Sequence, residues 1–222
     1  MRAYSTITVT RSLVALLSIC LSVGLGGCHA VTYHISLTHD ELATPQQRFS
    51  DYIVMQKQAD DRREAPGQIG HNISPTTSAS MFPLFFWIRS GSVETNKPVG
   101  IEIARQVKEA LESVGYQITL TEAPYSDPLP ANILKVQINE FYFKNYSWFA
   151  PLFFTGGGIA LTLTLENHEG KVLFARTFQQ EGESNRPFEG SFDVAIKEAL
   201  TGVLNQIVRA SSSDEFRQAL KL

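Results

Sequence analysis

The sequence predicts an α+β domain, a mostly antiparallel sheet with two long helices packed on one face. Three patterns carry that expectation. Val99, Ile103, Val107, Ala110, Leu111 and Val114 repeat at spacings of three and four, one apolar stripe of a helix over 97–114. Ile159, Leu161, Leu163 and Leu165 alternate with Ala160, Thr162, Thr164 and Glu166, a half-buried strand. Phe192, Ile196, Ala199, Leu200, Val203 and Ile207 form a second helical stripe.

The remaining elements follow in chain order. Val31, Tyr33, Ile35 and Leu37 alternate as a short strand or as a partly ordered tether. Residues 49–57 predict a strand, and Asp60 to Glu64 with Pro66-Gly67 a charged turn. Residues 71–80 are polar and Ser/Thr-rich, a loop by composition. Asn96 and Pro98 start the first helix, and Gly115 stops it as a left-handed residue. Tyr116, Ile118 and Leu120 alternate as a strand, and the prolines of 124–130 end it. Residues 132–143 predict another strand, with a bulge or an exit from the sheet at Glu140. Asn167 to Gly170 turns the clear strand at 159–166 into a partner carrying Val172, Phe174 and Phe178, a hairpin. Ser191 caps the second helix with Asp193 in its first turn. Ser211-Ser212-Ser213 separates it from a short helix over 214–220.

The N-terminus carries chemistry of its own. Arg2 and Arg11 precede an apolar run from Leu13 to Leu21, which suits a signal-peptide core and is short for a membrane span. The run leads to Leu25-Gly26-Gly27-Cys28, where small residues fit a peptidase cleft and the cysteine supplies a thiol for acylation. This resembles the lipobox of bacterial lipoproteins. It divides the chain into a signal peptide (1–27), a lipidated N-terminus and tether (28–48) and one periplasmic domain (49–222). Cys20 leaves with the signal peptide, so the mature chain keeps neither a free thiol nor an internal disulfide. Palmitate or a comparable acyl set on Cys28 anchors the chain more firmly than one acyl chain alone. His29 stands where an aspartate would resemble an inner-membrane retention signal, so the outer membrane is expected, with the inner membrane as the alternative.

Composition narrows the function. Loss of Arg2 and Arg11 moves the net charge from −3 to −5, a poor match to nucleic acid. The five histidines show no His-x-x-x-His or Cys/His spacing, so no metal is expected. Gly156-Gly157-Gly158 lacks a phosphate-loop ending and precedes a strand, so its expected role is to permit a bend beside bulky aromatics. Asp40-Glu41, Asp60-Asp61 and Glu181/Glu183 pair carboxylates in turns or at a strand end, which predicts solvated charge; Asp61 and Arg62 could instead pair and fix a turn. No nucleophile elbow is present. No cofactor is implied, and no enzyme is expected.

The unusual feature is aromatic. Met81 to Ile88 contains Phe82, Phe85, Phe86 and Trp87 in an otherwise polar region. Trp148, Phe149, Phe153 and Phe154 fall in a connection between expected strands. Exposed apolar density of this kind invites association. Three readings stay open: mutual packing that extends the core, a protein-partner surface, or contact with the membrane near the lipid anchor. These residues are the candidate interaction surface.

Leu111-Glu112-Ser113-Val114-Gly115-Tyr116, Ala131 to Ile138, Leu200 to Val208 and Ser213-Asp214-Glu215-Phe216 together resemble the YajG-like bacterial lipoproteins. The element order is also similar to LptE-type and ABC-transport auxiliary lipoproteins. The resemblance implies a non-enzymatic accessory module of an envelope complex with an unknown envelope protein partner. Its alternative is a lipid-binding auxiliary of lipid or lipopolysaccharide transport.

Overall fold

A computed structural model describes residues 32–44, 49–66, 68–76, 87–122, 132–149, 152–184 and 192–221. The strands are β1 (Tyr33–Ile35), β2 (Tyr52–Gln56), β3 (Asp60–Asp61), β4 (Gln68–Thr76), β5 (Trp87–Thr95), β6 (Gln117–Thr121), β7 (Asn132–Phe149), β8 (Leu152–Asn167) and β9 (Val172–Ser184). The helices are α1 (Val99–Val114), α2 (Phe192–Ser211) and α3 (Asp214–Leu220). The α+β class is as the patterns predict. The antiparallel ladders β4–β5, β7–β8 and β8–β9 are the long ones, and the parallel pairings are short.

β7 is the spine of the sheet. One edge pairs with β8 from Asn132↔Asn167 to Phe149↔Leu152, with a register shift at Ile138/Glu140 where the change of pattern predicts one. Its other edge is shared by β2 at Ile133 and Leu134, β3 at Gln137 and Ile138, and β4 at Phe143 and Lys144, all parallel. A parallel partner cannot arrive by a tight turn, so these strands come from upstream chain that runs along β7 in broken steps.

Arg63 bridges the break between β3 and β4. Its guanidinium donates from Nε to Asp61 Oδ1 at 2.7 Å and from Nη2 to Asp61 Oδ2 at 2.5 Å. Nη1 reaches Gln68 O at 2.9 Å and Phe141 O at 2.8 Å, and Nη2 reaches Pro66 O at 2.6 Å. The two side chains are 9% and 10% exposed. The expected Asp61–Arg62 pair is therefore shifted by one residue: Arg62 pairs with Asp60 at 2.7 Å in solvent. Chain alternation explains the difference, because β3 turns Asp61 and Arg63 toward the sheet and Asp60 and Arg62 away.

The helices cover one sheet face. Ile103, Val107, Leu111 and Val114 of α1, and Ile196, Leu200, Val203 and Ile207 of α2, are at most 2% exposed. They share one apolar cluster with Met55, Leu134, Ile138, Phe141, Leu161 and Leu165 of the sheet. α1 begins directly after Pro98, where the start signals place it, and without a side-chain cap. It ends at Gly115, φ +107°, where a Cβ would lie 2.3 Å from Phe49 O. Ser213 caps α3, accepting from Phe216 N. Ser191 lies outside the described residues.

Two expected boundaries move. The loop placed at 71–80 is strand through Thr76, because β4 finds partners in both β5 and β7. The strand expected to end at Phe143 continues to Phe149, and its partner starts at Leu152. The aromatics of 148–154 are thus carried by a hairpin. The ladder between β7 and β8 fixes where their backbone lies whatever their side chains prefer.

Tyr116 ties the sheet to α2 and α3. Its hydroxyl donates to Ser211 O at 2.7 Å, and its ring stacks on Phe49 at 5.6 Å and meets Phe216 edge-on at 5.9 Å. Burial first, then Asp51, pushes its pKa from 10.0 up to about 12, against an opposing pull from Arg217.

Two outcomes follow from these contacts. Arg63→Ala lowers the unfolding free energy by about 3 kcal/mol in urea titration, and Arg63→Lys restores only part because an ammonium cannot span the same acceptors. As pH rises from about 10 toward 12, the unfolded tyrosine loses its proton while folded Tyr116 keeps it, so wild-type stability falls across that window. Tyr116→Phe costs about 1 kcal/mol at pH 8 and lacks this component of the alkaline loss. Equal alkaline slopes in the two proteins would contradict the assignment.

Candidate interaction surface

The N-terminal segment is built into the fold. β1 joins β5 in parallel, Tyr33 opposite Val93 and Ile35 opposite Thr95. Asn96 locks its end, donating from the backbone to Ile35 O at 3.1 Å and from Nδ2 to Ser36 Oγ at 2.7 Å. Residues 37–43 then strap across both long helices. Leu37 is 2% exposed, and its carbonyl accepts from Gln106 Nε2 of α1 at 3.2 Å. The amides of Asp40 and Ala43 donate to Thr201 Oγ1 at 2.9 Å and Asn205 Oδ1 at 2.7 Å on α2. Asp40 also pairs with Lys197, and His39 lies 3.7 Å from Glu109.

Lys197, Thr201 and Asn205 were not among the expected functional residues. They recur every four residues, a polar stripe on an otherwise amphipathic helix. That spacing is the sequence signal for a backbone segment lying along α2.

A single row of paired residues crosses the sheet: Tyr33, Val93, Gly70, Phe143, Gly157 and Gly182 on β1, β5, β4, β7, β8 and β9. On one side of the row lies the apolar core. On the other, β4 and β5 continue to Thr76↔Trp87, and β7 and β8 continue to Phe149↔Leu152. Each hairpin extends about 20 Å beyond the row at ordinary strand rise. The topology therefore brings Trp87 to the same end of the sheet as Trp148, Phe149, Phe153 and Phe154. Phe154 is 40% exposed. Phe82, Phe85 and Phe86 lie outside the described residues, as does Cys28.

Just beyond the row, the buried face turns polar. Asn145, Thr155 and Ser184 pair across β7, β8 and β9, and are 4%, 1% and 3% exposed. The Thr155 and Ser184 hydroxyls have no hydrogen-bond partner among the described residues.

The outer face of the sheet is polar. Glu140, Tyr142 and Lys144 on β7 and Gln179, Glu181 and Glu183 on β9 flank a shallow groove of about 650 Å³ floored by Gly156 and Gly158. The β8 ladder runs through the triple glycine in register with both neighbours. Gly157 permits close approach, since a Cβ there would sit 2.2 Å from Tyr142 O. Between sheet and helices, α2 presses directly on β9. A Cβ on Gly182 would fall 2.0 Å from Ala195 O.

The paired carboxylates are divided among structural roles. Asp60, Asp61 and Asp40 each hold a cationic side chain, while Glu181 and Glu183 stand exposed on the outer face. Of the histidines, His34 is exposed, His39 is a half-buried residue of the strap beside Glu109, and His168 is exposed in the β8–β9 turn. Among the described residues no three His, Cys, Asp or Glu gather closely enough to hold a metal ion. Nor is any helix among them long and apolar enough to cross a membrane.

No family model and no curated protein matches the sequence. Solved structures similar to it include protein XCC0632 of the DUF330 family from Xanthomonas campestris, with 16% identity and TM-score 0.47 over 86% of this chain and 100% of that one. A minor lipoprotein from Acinetobacter baumannii has 10% identity and TM-score 0.35 over 78% and 93%. Lipoprotein GNA1162 from Neisseria meningitidis has 11% identity and TM-score 0.31 over 72% and 99%.

The strap gives a local prediction. Leu37→Ala lowers stability by about 3 kcal/mol and speeds amide exchange at Asp40 and Ala43. Unchanged exchange at those amides would mean that Leu37 does not hold the strap.

Proposed function

We propose that the protein is a lipoprotein acylated on Cys28, held at the periplasmic face of the outer membrane, and acting there without catalysis as an accessory binding module of an envelope complex. The supporting observation is the built-in N-terminus. Residues 29–32 alone separate Cys28 from Tyr33, a span of at most about 18 Å. From Tyr33 onward the chain is sheet, then strap. A lipid on Cys28 therefore keeps the domain within a side chain or two of the bilayer, so its partner is another envelope component. The described ion pairs are engaged in holding β3, the strap and the helices, which supports binding in preference to turnover. His29 after the cysteine favours the outer membrane over the inner.

The alternative, an auxiliary that passes an acyl chain between sheet and helices, needs space there. The contact of Ala195 with Gly182 and the full burial of Ile103, Leu134 and Leu200 do not favour it.

Cys28→Ser abolishes incorporation of labelled palmitate and moves the protein from the membrane to the soluble fraction on cell fractionation. A variant that remains membrane-bound after a carbonate wash refutes the anchor.

A further inference from the structure

We infer that the two hairpin ends, at Trp87 on β5 and at Trp148, Phe149, Phe153 and Phe154 on β7 and β8, enter the interfacial zone of the same bilayer that receives the lipid of Cys28. The inference rests on the acylation proposed above and adds a second membrane contact to it.

Direction carries the first part of the argument. β1 is parallel to β5, so the chain enters β1 at Thr32 from the Trp87 side of the row, where Thr32 Oγ1 accepts from Ser92 Oγ at 3.3 Å. β4 is parallel to β7, so the β4–β5 and β7–β8 hairpins point the same way. The described chain thus enters the sheet from the end at which both hairpins finish. Reach carries the second. Cys28 lies within about 18 Å of Tyr33, and the hairpins extend about 20 Å past the Tyr33 row. A lipid drawn into the bilayer at that distance brings the strand ends to the membrane surface.

Composition carries the third. Between Gly70 and Arg89, and between Lys144 and Glu166, the chain has no Asp, Glu, Lys or Arg, although 18% of the whole sequence is charged. These are the segments that contain the strand ends. Entering the headgroup boundary would desolvate no ion there. The ladder pairs one edge of each strand as far as Thr76↔Trp87 and Phe149↔Leu152, and the N–H and C=O groups of the outer edges need the water of the headgroup zone, which limits the contact to the interface and keeps it out of the hydrocarbon. Tryptophan prefers the membrane interface, where its ring is apolar and its N–H stays wet. A protein partner at this end would have to occupy the gap that the short tether leaves.

The protein contains two tryptophans, Trp87 and Trp148, so its own fluorescence reports on both ends. The test uses the full lipidated chain reconstituted into phosphatidylethanolamine/phosphatidylglycerol vesicles with or without bromine on the acyl chains. The expected result is a blue-shifted emission and loss of intensity in the brominated vesicles. Trp87→Phe and Trp148→Phe, each leaving one reporter, assign the loss to each hairpin. If the protein co-floats with the vesicles and is acylated by mass, yet its emission is the same in both, the hairpin ends stay in water. The inference then falls while the anchor stands. A protein without an acyl group on Cys28 overturns the anchor and this inference together.

Discussion

The fold depends on how the second edge of β7 is filled. A strand of that length needs partners along both edges or leaves a row of unpaired peptide groups. β8 satisfies one edge in full. The other receives β2, β3 and β4 in sequence, with a gap where the chain leaves β3 and returns as β4. Arg63 occupies that gap. Its fork takes the carbonyls of Pro66, Gln68 and Phe141 and both oxygens of Asp61. Arginine suits the place because its donors are fixed in a plane and match several acceptors at once. With the gap closed, β4 is set in register against Phe143, and β5 and β1 are positioned in turn.

Everything at the aromatic end inherits that register. If β4 slipped one residue along β7, the alternating side chains of β4 and β5 would exchange faces. The Tyr33 row would no longer align with Phe143, and the N-terminal strand would be displaced from the hairpin ends. The strap works with the same geometry from the other side of the sheet. Leu37 fills a groove on the helical layer, and Thr201 and Asn205 hold the amides of Asp40 and Ala43. The described chain from β1 to Ala43 is thus fixed to both layers.

Much of this was legible from periodicity and little of it from composition. The stripe from Val99 to Val114, the alternation at 159–165 and the turn at 167–170 report burial on one face, and burial is what their elements have. Gly115 was legible because a left-handed residue has a strong chemical preference. Residues 71–76 were not, since Ser, Thr and Asn read as loop while the ladder partners that make them strand lie far along the chain at 87–92 and 143–144. The extension of β7 to Phe149 failed for the same reason: aromatic density obscures alternation, and pairing with β8 decides. The candidate surface was legible as residues and not as a place. No local pattern says that Trp87 and Trp148 lie at one end of a sheet. That follows from the parallel joining of β1 to β5 and β4 to β7.

An anchor on a slack chain localises a domain without orienting it, because rotation about single bonds is free over a few residues. A tether of at most about 18 Å does more, and a second contact about 20 Å along the strands does more again. Two contacts at one end would make the strands stand off the membrane, with the helical layer on one side and the polar face on the other. The groove between Tyr142 and Glu181 would then open sideways, clear of the headgroups. Glu140, Glu181 and Glu183 make that face acidic, which repels an anionic bilayer and so reinforces the upright arrangement. The apolar end and the acidic face thus favour the same orientation, and β7 carries both: Trp148 and Phe149 at its end, Glu140, Tyr142 and Lys144 along its outer side.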